Sequence, residues 1–442
     1  MGRLTGVVTM RLLPFAIAAV LGTAFQSQPA QAKSNLLELL AQKGVITMQE
    51  YEELKAEQKN EVSVNTDDGF KLASKDSTTA APASFQLSTL QQLDMADYRD
   101  DKAALSEGSE LRRSRLSVAG TFLTDWQYRV EYEFSGTTGV TDAYVSYNAN
   151  KPLIVTLGQF KQPFGMEAYA SDKNLTFMER GLPFAFVTVR APGIGVGTSG
   201  ARWSLNGGLF GEPVGNAQAG NDGYGAAGRF TYAPILTDEG VLHLGLGATW
   251  REPTENNSSN TSGAKFSTVR FRSKPESNIL AQRFVDTGEI RNVDQYTTTG
   301  LELAGAIGPA SLQAEYQATQ VTRDNGPSLD FSGWYAQAAY TLTGEKRPYR
   351  ADRGYFDGIR PSHNFGKDGW GAFEVALRLS SIDLSDGDIN GGRERNASAA
   401  LNWYLNPFLR VSANVIKVLE TDGGPMDGDE PTLFQARLQL AY

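Results

Sequence analysis

The segment 126–134 alternates strictly between apolar and polar side chains, and this pattern constrains the fold more than any other feature of the chain. Successive side chains of an extended strand point to opposite faces. The aromatic residues and Val130 therefore share one face, whereas Arg129 and its polar neighbours share the other. The same alternation recurs along the chain and continues to Tyr442. Repeated strands of this kind predict a transmembrane β-barrel with an apolar exterior and a polar, water-filled interior.

The alternation predicts about sixteen strands, and bacterial barrels prefer even strand numbers. Aromatic residues cluster near the strand ends, as they do at the two interfaces of a membrane. The predicted fold is an all-β, antiparallel transmembrane barrel over residues 84–442, preceded by a short periplasmic helical segment. The predicted strands span residues 84–95, 112–123, 125–134, 141–148, 153–160, 199–210, 223–233, 240–250, 264–272, 297–307, 310–320, 330–342, 370–381, 394–404, 408–418 and 432–442.

The N-terminal part of the chain has a different composition. Residues 1–32 combine two arginines, a short apolar run and an Ala-Gln-Ala site, which predicts a cleaved secretory signal peptide; a start at Met10 is compatible with it. Residues 33–60 predict a periplasmic helical hairpin, because a leucine cluster is followed by a capping box that begins at Thr47. A plain periplasmic element and a self-association element both remain open for this hairpin. The polar residues 61–83 predict a linker.

Composition and charge exclude some classes of protein. The chain has no cysteine, so closure of the sheet must supply its rigidity. Removal of the two signal-peptide arginines from the 41 basic residues leaves 39 against 50 acidic ones, a net charge of −11. This sum does not decide which ion passes, because selectivity depends on the charges at the narrowest part of a pore. Neither His243 nor His363 adjoins a nucleophile or metal-ligand motif, so we expect no enzyme, cofactor or metal site.

Three other kinds of protein would share parts of this pattern. An adhesin or structural barrel with a blocked lumen would have similar long loops, and a lack of conductance would identify it. A soluble β-sandwich is disfavoured by the signal peptide together with the terminal aromatic strand. A gated transporter of the TonB type needs a larger plug domain than residues 33–82 supply.

Several stretches of the chain resemble the phosphate-selective porins O and P. They lie in order at 36–47, 110–120, 125–134, 141–147, 158–167, 176–180, 342–350 and 369–378, and include Glu-Leu-Arg-Arg-Ser-Arg-Leu-Ser-Val-Ala-Gly and Gly-Gln-Phe-Lys-Gln-Pro-Phe-Gly-Met-Glu. The resemblance covers nearly the whole mature chain. It implies a trimeric outer-membrane barrel of sixteen strands whose third loop folds inward and narrows the lumen. Residues 161–198 would be that loop, and arginines and lysines would guide anions to it.

Parity predicts where the charges of the second strand point. Arg113 and Arg115 share the lumenal face, whereas Arg112 has the opposite parity and needs a bulge or a position above the bilayer. An unpaired arginine on the lipid face would cost about 2–4 kcal/mol at mid-depth. Arginine suits oxyanions because its planar fork donates two parallel hydrogen bonds. Ion pairs with Glu131 or Glu133 of the next strand are the alternative role.

The remaining candidates lie on the next strands and on the inward loop. Asp142 has lumenal parity, and the resemblance implies that it contributes to an anion site. The loop supplies Lys161, Ser171, Lys173 and Arg180 as further anion-binding or constriction residues.

Two positions of this loop depart from the pattern of the family. Members with firm phosphate preference carry a lysine at the position of Ala168 and a second serine at that of Asp172. A lost cation and an added acid should weaken phosphate binding.

Further arginines with lumenal parity are expected to form a ladder that raises the local anion concentration, or else to pair with acids. They are Arg129, Arg202, Arg229, Arg378, Arg410 and Arg437. The basic stretch 265–283 is expected to attract anions or lipopolysaccharide phosphates, or to be a solvated outer loop. The long connections 161–198, 251–296, 343–369 and 419–431 are interpreted as outer loops.

These observations predict an outer-membrane porin for passive diffusion of small anions, with phosphate or polyphosphate as the favoured solute. A general anion or small-solute porin without a phosphate site is the alternative. The expected partners are small inorganic anions, two further copies in a homotrimer, and outer-membrane lipid with lipopolysaccharide; no nucleic acid is expected.

Overall fold

The computed structural model describes residues 43, 47–51, 62–65, 70–74, 84–123, 125–149, 153–213, 223–256 and 266–442. The predicted signal peptide and most of the predicted helical hairpin lie outside these residues. Residues 48–51 form a helical turn that begins with a reciprocal pair of hydrogen bonds. The Thr47 N–H donates to the Glu50 carboxylate at 2.8 Å, and the Glu50 N–H donates to Thr47 Oγ1 at 3.2 Å. Among the described residues, no helix is long and apolar enough to cross a membrane.

Sixteen antiparallel strands of the described chain close into a barrel, which confirms the predicted fold class. Closure is made by the last strand, whose Leu438 pairs with Leu93 of the first. The strands are β1 (Ser84–Arg99), β2 (Gly108–Phe122), β3 (Trp126–Glu133), β4 (Gly139–Tyr147), β5 (Ile154–Lys161), β6 (Arg190–Ser199), β7 (Trp203–Phe210), β8 (Tyr224–Leu236), β9 (Gly240–Glu252), β10 (Val293–Ile307), β11 (Ala310–Arg323), β12 (Leu329–Thr341), β13 (Ala372–Asp386), β14 (Ile389–Tyr404), β15 (Leu409–Asp422) and β16 (Thr432–Ala441).

The alternation of side chains separates the two surfaces of the barrel wall. Leu116 of β2 and Leu377 of β13 are exposed on the outside, whereas their neighbours Ser117 and Arg378 are buried on the inside. The outer surface is therefore apolar and suits lipid, and the polar groups of the strands collect around the lumen.

One predicted strand is wrong and one real strand is missing from the prediction. Within 264–272, the described residues form only short pairings inside the loop between β9 and β10. The strand missing from the prediction is β6, where one proline and three glycines hide the alternation of apolar and polar side chains. Glycine is required there by close packing, because a Cβ at Gly195 would lie 2.8 Å from the Phe160 ring. The inward connection thus covers 162–189, not 161–198.

A β-bulge decides the direction of Arg112. Gln92 of β1 pairs with Arg113, but the next pair joins Leu93 to Leu111, so Arg112 is the extra residue of β2. Leu111 keeps its place on the outer face, and the Arg112 side chain turns inward to a carboxylate of the inward loop. Of the two placements that parity allowed, the bulge is the one the chain adopts.

The strand directions assign each connection to one end of the barrel. The tight turns 200–202, 308–309 and 405–408 lie at the end that holds the start of β1, as does the short connection from β2 to β3. Short connections identify the periplasmic end. The connection 342–371 also lies at this end, because β12 runs toward it. Its interpretation as an outer loop was wrong, since length alone does not reveal the side. Arg202 belongs to one of these turns, where it is exposed, so its predicted lumenal strand position was also wrong.

The stretch predicted as a linker contains two short strands. Val62–Asn65 pairs with Phe70–Ser74, and the second of these continues along the first residues of β1 through the pair Leu72 and Phe85. The linker interpretation overlooked that both stretches carry alternating apolar residues.

Segments from both ends of the barrel pack inside the lumen. Met166 and Ala170 of the inward loop bury their side chains against Tyr355 and Phe356 of the connection 342–371. From the outer end, the connection between β9 and β10 packs Phe271 and other apolar residues against Leu182 and Phe186 of the inward loop. The hydrophobic core of the protein is therefore inside the barrel, where it holds the constriction in place.

Candidate functional site: the lumenal constriction

The inward loop 162–189 is held by cations that bind its own backbone. Lys161, at the end of β5, donates from Nζ to the carbonyls of Ala168 at 3.0 Å and Tyr169 at 3.3 Å, and also to that of Ala170. These carbonyls belong to a single helical turn, α1 (Met166–Tyr169), and its cap. The ammonium group satisfies acceptors that the short helix leaves unpaired. Lys161 was predicted as an anion-binding residue, and its contacts show that it stabilises the backbone of the inward loop.

Arg180 has a similar double task. Its Nε donates to the Glu167 carbonyl at 3.0 Å, and its Nη1 lies 2.7 Å from Asp172 Oδ1. The Glu167 carboxylate in turn accepts from the Gly181 N–H at 3.0 Å. The two ends of the loop are thereby tied together, and the position of Asp172 is defined.

Asp172 lies at the centre of a cluster of arginines. In addition to Arg180, it pairs with Arg115 and lies 3.6 Å from Arg113. Burial alone would raise the pKa of the Asp172 carboxyl, but these guanidinium groups and Lys161 outweigh it and hold the pKa well below its usual range. An internal carboxylate therefore occupies the position where the convergent arginines would otherwise receive an external oxyanion.

A second acid, Glu179, pairs with several other arginines of the network. Arg112 donates to both of its oxygens, at 2.9 and 3.0 Å, and Arg437 lies 2.8 Å away. Arg113 approaches to 3.7 Å. Burial raises the pKa of this carboxyl, whereas the three arginines lower it, and the net result is a pKa below its usual range. Arg112 and Arg113 thus help to neutralise the Glu179 carboxylate, an anion of the protein itself.

The barrel wall beside the loop carries a further set of ion pairs. Arg190 Nε donates to Asp142 at 2.7 Å, and Arg129 lies 3.4 Å from the same carboxylate. Arg115 donates to Glu133 at 2.7 Å, which is the pairing that the sequence offered as the alternative to a purely pore-lining role. Asp142 is lumenal, as its parity indicates, and it neutralises arginines of its own wall.

A cavity of about 500 Å³ lies on the periplasmic side of this cluster. Ser171 and Lys173 line it, together with wall residues of β1 to β7 and residues of the connection 342–371. Sequence reasoning missed one of these, Arg353, because its segment was assigned to the opposite end. The directions of the strands, counted from β1, would have placed it correctly.

Acids of the wall and of the inward loop are less exposed to the cavity than the arginines Arg129 and Arg353. The side chains of Glu131, Asp142 and Asp172 are 9, 11 and 4% exposed, whereas those of Arg129 and Arg353 are 31 and 59% exposed. These three carboxylates lie behind the cations that they pair with, whereas Asp352, which also lines the cavity, is 48% exposed. In all, the described lining of the cavity holds six basic and four acidic side chains. A solute in the lumen therefore meets more positive than negative charge, although the chain as a whole is acidic.

A closed barrel of sixteen strands, with a loop folded into a charged lumen, defines the chain as an outer-membrane porin. The family model described as phosphate-selective porin O and P matches residues 85–442, so the chain belongs to this family. It is an anion porin of the outer membrane and a channel, not an enzyme, as the sequence predicted.

Relatives and solved structures agree with this membership. Porin O of Pseudomonas aeruginosa PAO1 is 26% identical over 426 residues, 86% of this chain and 93% of that protein. A Caulobacter vibrioides protein described as uncharacterized is 31% identical over 353 residues, 76% of this chain and 69% of its own. The anion-selective porin from Comamonas acidovorans has a TM-score of 0.50 at 14% identity, covering 81% of this chain and all of that one. The trimer form of Vibrio cholerae OmpT has a TM-score of 0.50 at 12% identity, covering 82% of this chain and all of that one.

Proposed function

We propose that this porin passes phosphate and similar small oxyanions without holding them tightly. The observation that carries the proposal is the contrast between the exposed lumenal cations and the nearly covered acids of the barrel wall and the inward loop. Arg129 and Arg353 face the cavity, while the Asp142 and Asp172 carboxylates are nearly covered. A field of this sign raises the local concentration of anions and lowers that of cations.

The predicted site residues take two roles in this proposal. Ser171 and Lys173 meet the solute directly, because they line the cavity. Arg115, Asp142 and Lys161 also line the cavity, where Asp142 is an acid that pairs with Arg129 and Arg190. Arg112, Arg113 and Arg180 supply positive potential from behind and position the loop that narrows the path. Their charges act over several ångströms in a region with little competing solvent.

Weak retention follows from Asp172. Its carboxylate already takes hydrogen bonds and ion pairs from Arg115 and Arg180, so an incoming phosphate would have to compete with a covalently attached anion. Ala168 supplies no additional cation to compensate. A general anion pore without a phosphate site is the second candidate function, and the same aspartate is the observation that favours it.

We further propose that the porin is a homotrimer whose apolar outer wall contacts lipid and lipopolysaccharide. The OmpT fold neighbour in a trimer form supports the first part. The exposed leucines of the outer wall, such as Leu116 and Leu377, support the second.

The test is single-channel recording in a planar bilayer under a KCl gradient, followed by titration with phosphate. We expect a reversal potential on the chloride side and inhibition only at high phosphate concentration. The double variant Arg129→Gln, Lys173→Gln should lose part of the anion preference. The matched control, Arg395→Gln with Lys367→Gln, removes the same charge from exposed positions away from the cavity and should behave as the unmodified channel. Equal reversal potentials for all three proteins would refute the proposed role of the exposed cations.

A further inference from the structure

Arg353 is the most exposed of the described arginines that line the periplasmic cavity. Its side chain is 59% exposed, against 13% for Arg115, 31% for Arg129 and 15% for Arg190. It comes from the connection 342–371, which enters the lumen from the periplasmic end, and not from the wall or the inward loop. The tip of this segment therefore adds a separate positive charge to the path.

The backbone beneath Arg353 is held rigidly. Arg229 of β8 donates to the carbonyl of Arg353 at 2.8 Å and to that of Gly354 at 2.6 Å. Arg229 is fully buried and is itself fixed by two hydrogen bonds of 2.7 Å to Glu302. Because the base is fixed by a buried ion pair, the exposed guanidinium group is presented from a defined point and not from a loose loop.

The charge of Arg353 is poorly neutralised by the protein. Its closest described carboxylate is that of Asp352, at 3.7 Å. That carboxylate accepts hydrogen bonds from Arg350 at 3.1 and 3.2 Å, so its charge is shared. Arg115 and Arg180, in contrast, each have a carboxylate within 2.7 Å.

Polar groups of the barrel wall face the same cavity. Arg129 lies on β3 and Tyr144 on β4, and both line the cavity together with Arg353. A guanidinium group donates up to five hydrogen bonds in a planar fork, and a phenol adds one O–H donor. Donors of this kind that line one cavity match the oxygens of a phosphate or a carboxylate.

We propose that Arg353, Arg129 and Tyr144 form a second oxyanion site, on the periplasmic side of the cluster around Asp172. The inference rests on the proposed anion function and adds a place where the solute pauses after the constriction. Acids pair with its arginines, Glu131 at 2.6 Å from Arg129 and Asp352 at 3.7 Å from Arg353, but these arginines keep 31 and 59% of their side-chain surface exposed. The arginines around Asp172 are at most 13% exposed. The solute class is a small oxyanion with at least two oxygens available to the donors.

The experiment measures inhibition of the single-channel chloride current by phosphate added to the periplasmic side. Arg353→Gln should raise the half-inhibitory phosphate concentration about tenfold, since one charge-assisted contact is lost. Asp352→Asn, which leaves Arg353 in place, should lower it. Arg395→Gln, the same charge change on the outer face near the other end, should leave it unchanged. Repetition with acetate reports whether carboxylates enter the same site.

The outcomes distinguish a failure of the proposed anion function from a failure of the proposed second site. A cation-side reversal potential in the unmodified channel would overturn the proposed anion function itself. A chloride-side potential, with the same phosphate inhibition in Arg353→Gln and in Asp352→Asn as in the unmodified channel, would overturn only the second site. If Arg353→Gln fails to fold, the expected increase in affinity in Asp352→Asn still tests the proposal, and no change in that variant would overturn it.

Discussion

Replacement of Asp172 by asparagine should convert the constriction from a self-occupied cluster into an open oxyanion site. The carboxylate is 4% exposed, pairs with Arg115, lies 2.7 Å from Arg180 and lies 3.6 Å from Arg113. Asparagine has nearly the same shape but carries no charge. Arg180 would then lose its ion pair, while Arg115 would keep only its pairing with the strand acids such as Glu133. Phosphate or chloride from the lumen can supply the missing anion.

The expected size of the effect follows from the contacts that become available. Two charge-assisted hydrogen bonds, those of Arg115 and Arg180, are each worth about 1.5 kcal/mol or more. Their sum, about 3 kcal/mol, would correspond to a change of roughly a hundredfold in affinity. Immobilisation of the anion and the remaining amide oxygen offset part of this gain, so we expect phosphate inhibition to strengthen by at least about tenfold.

Inhibition of the chloride current by phosphate in a planar bilayer measures this change directly. Asp388→Asn is the matched control, because it removes the same charge from an exposed ion pair with Arg323 at the outer end. Migration of unheated protein on a gel checks that each barrel is folded. Unchanged phosphate inhibition in a folded Asp172→Asn channel would refute the argument that Asp172 occupies the site.

Three further predictions follow from the structure. Leu116→Arg should destabilise the barrel by about 2–4 kcal/mol in denaturant unfolding from detergent, because this side chain faces lipid, whereas Ser117→Arg on the lumenal face should cost less and narrow the pore. Asp357→Ala removes the acceptor of the 2.9 Å hydrogen bond from Asn174 Nδ2, so the inward loop should move more and the single-channel current should fluctuate more. The exchanged pair, Asn174→Asp with Asp357→Asn, should reduce these current fluctuations again. The pKa of Asp172 is depressed, so its charge is lost only when the pH falls through the low folded-state value. Ion selectivity should therefore stay constant from pH 7 to about pH 4, near the usual aspartate pKa. A rise in anion preference already at pH 5 would contradict this.

The sequence predicts the barrel wall well because the wall obeys a local rule. A lipid-facing residue must be apolar and its neighbour polar, so the faces of β2 and β3 follow from parity alone. The outlier Arg112 indicated a bulge or a position above the bilayer, and the structure has the bulge. The rule fails where packing inside the barrel decides the sequence. β6 consists largely of small residues that make room for Phe160 and Phe210, and its strand character is not visible in an alternation of hydropathy.

The constriction depends on contacts between parts of the chain that are distant in sequence. The carboxylate of Glu179 meets Arg112 and Arg437, and Asn174 meets Asp357, across sequence separations that no local pattern encodes. Candidate charges can therefore be found from the sequence, but their neutralisation can be found only between neighbouring strands, as for Arg115 and Glu133. Arg353 was missed for a different reason, since the side of a long connection depends on the number of strands that precede it.

The zero-current potential of the purified channel in a tenfold KCl gradient tests the central claim most directly. Exposed arginines line the path and the carboxylates of Asp142 and Asp172 lie behind them, so we predict a zero-current potential displaced toward the chloride equilibrium value. A potential displaced toward the potassium value would show that the acids, with Asp142 and Asp172 foremost, control the path, and it would contradict the account.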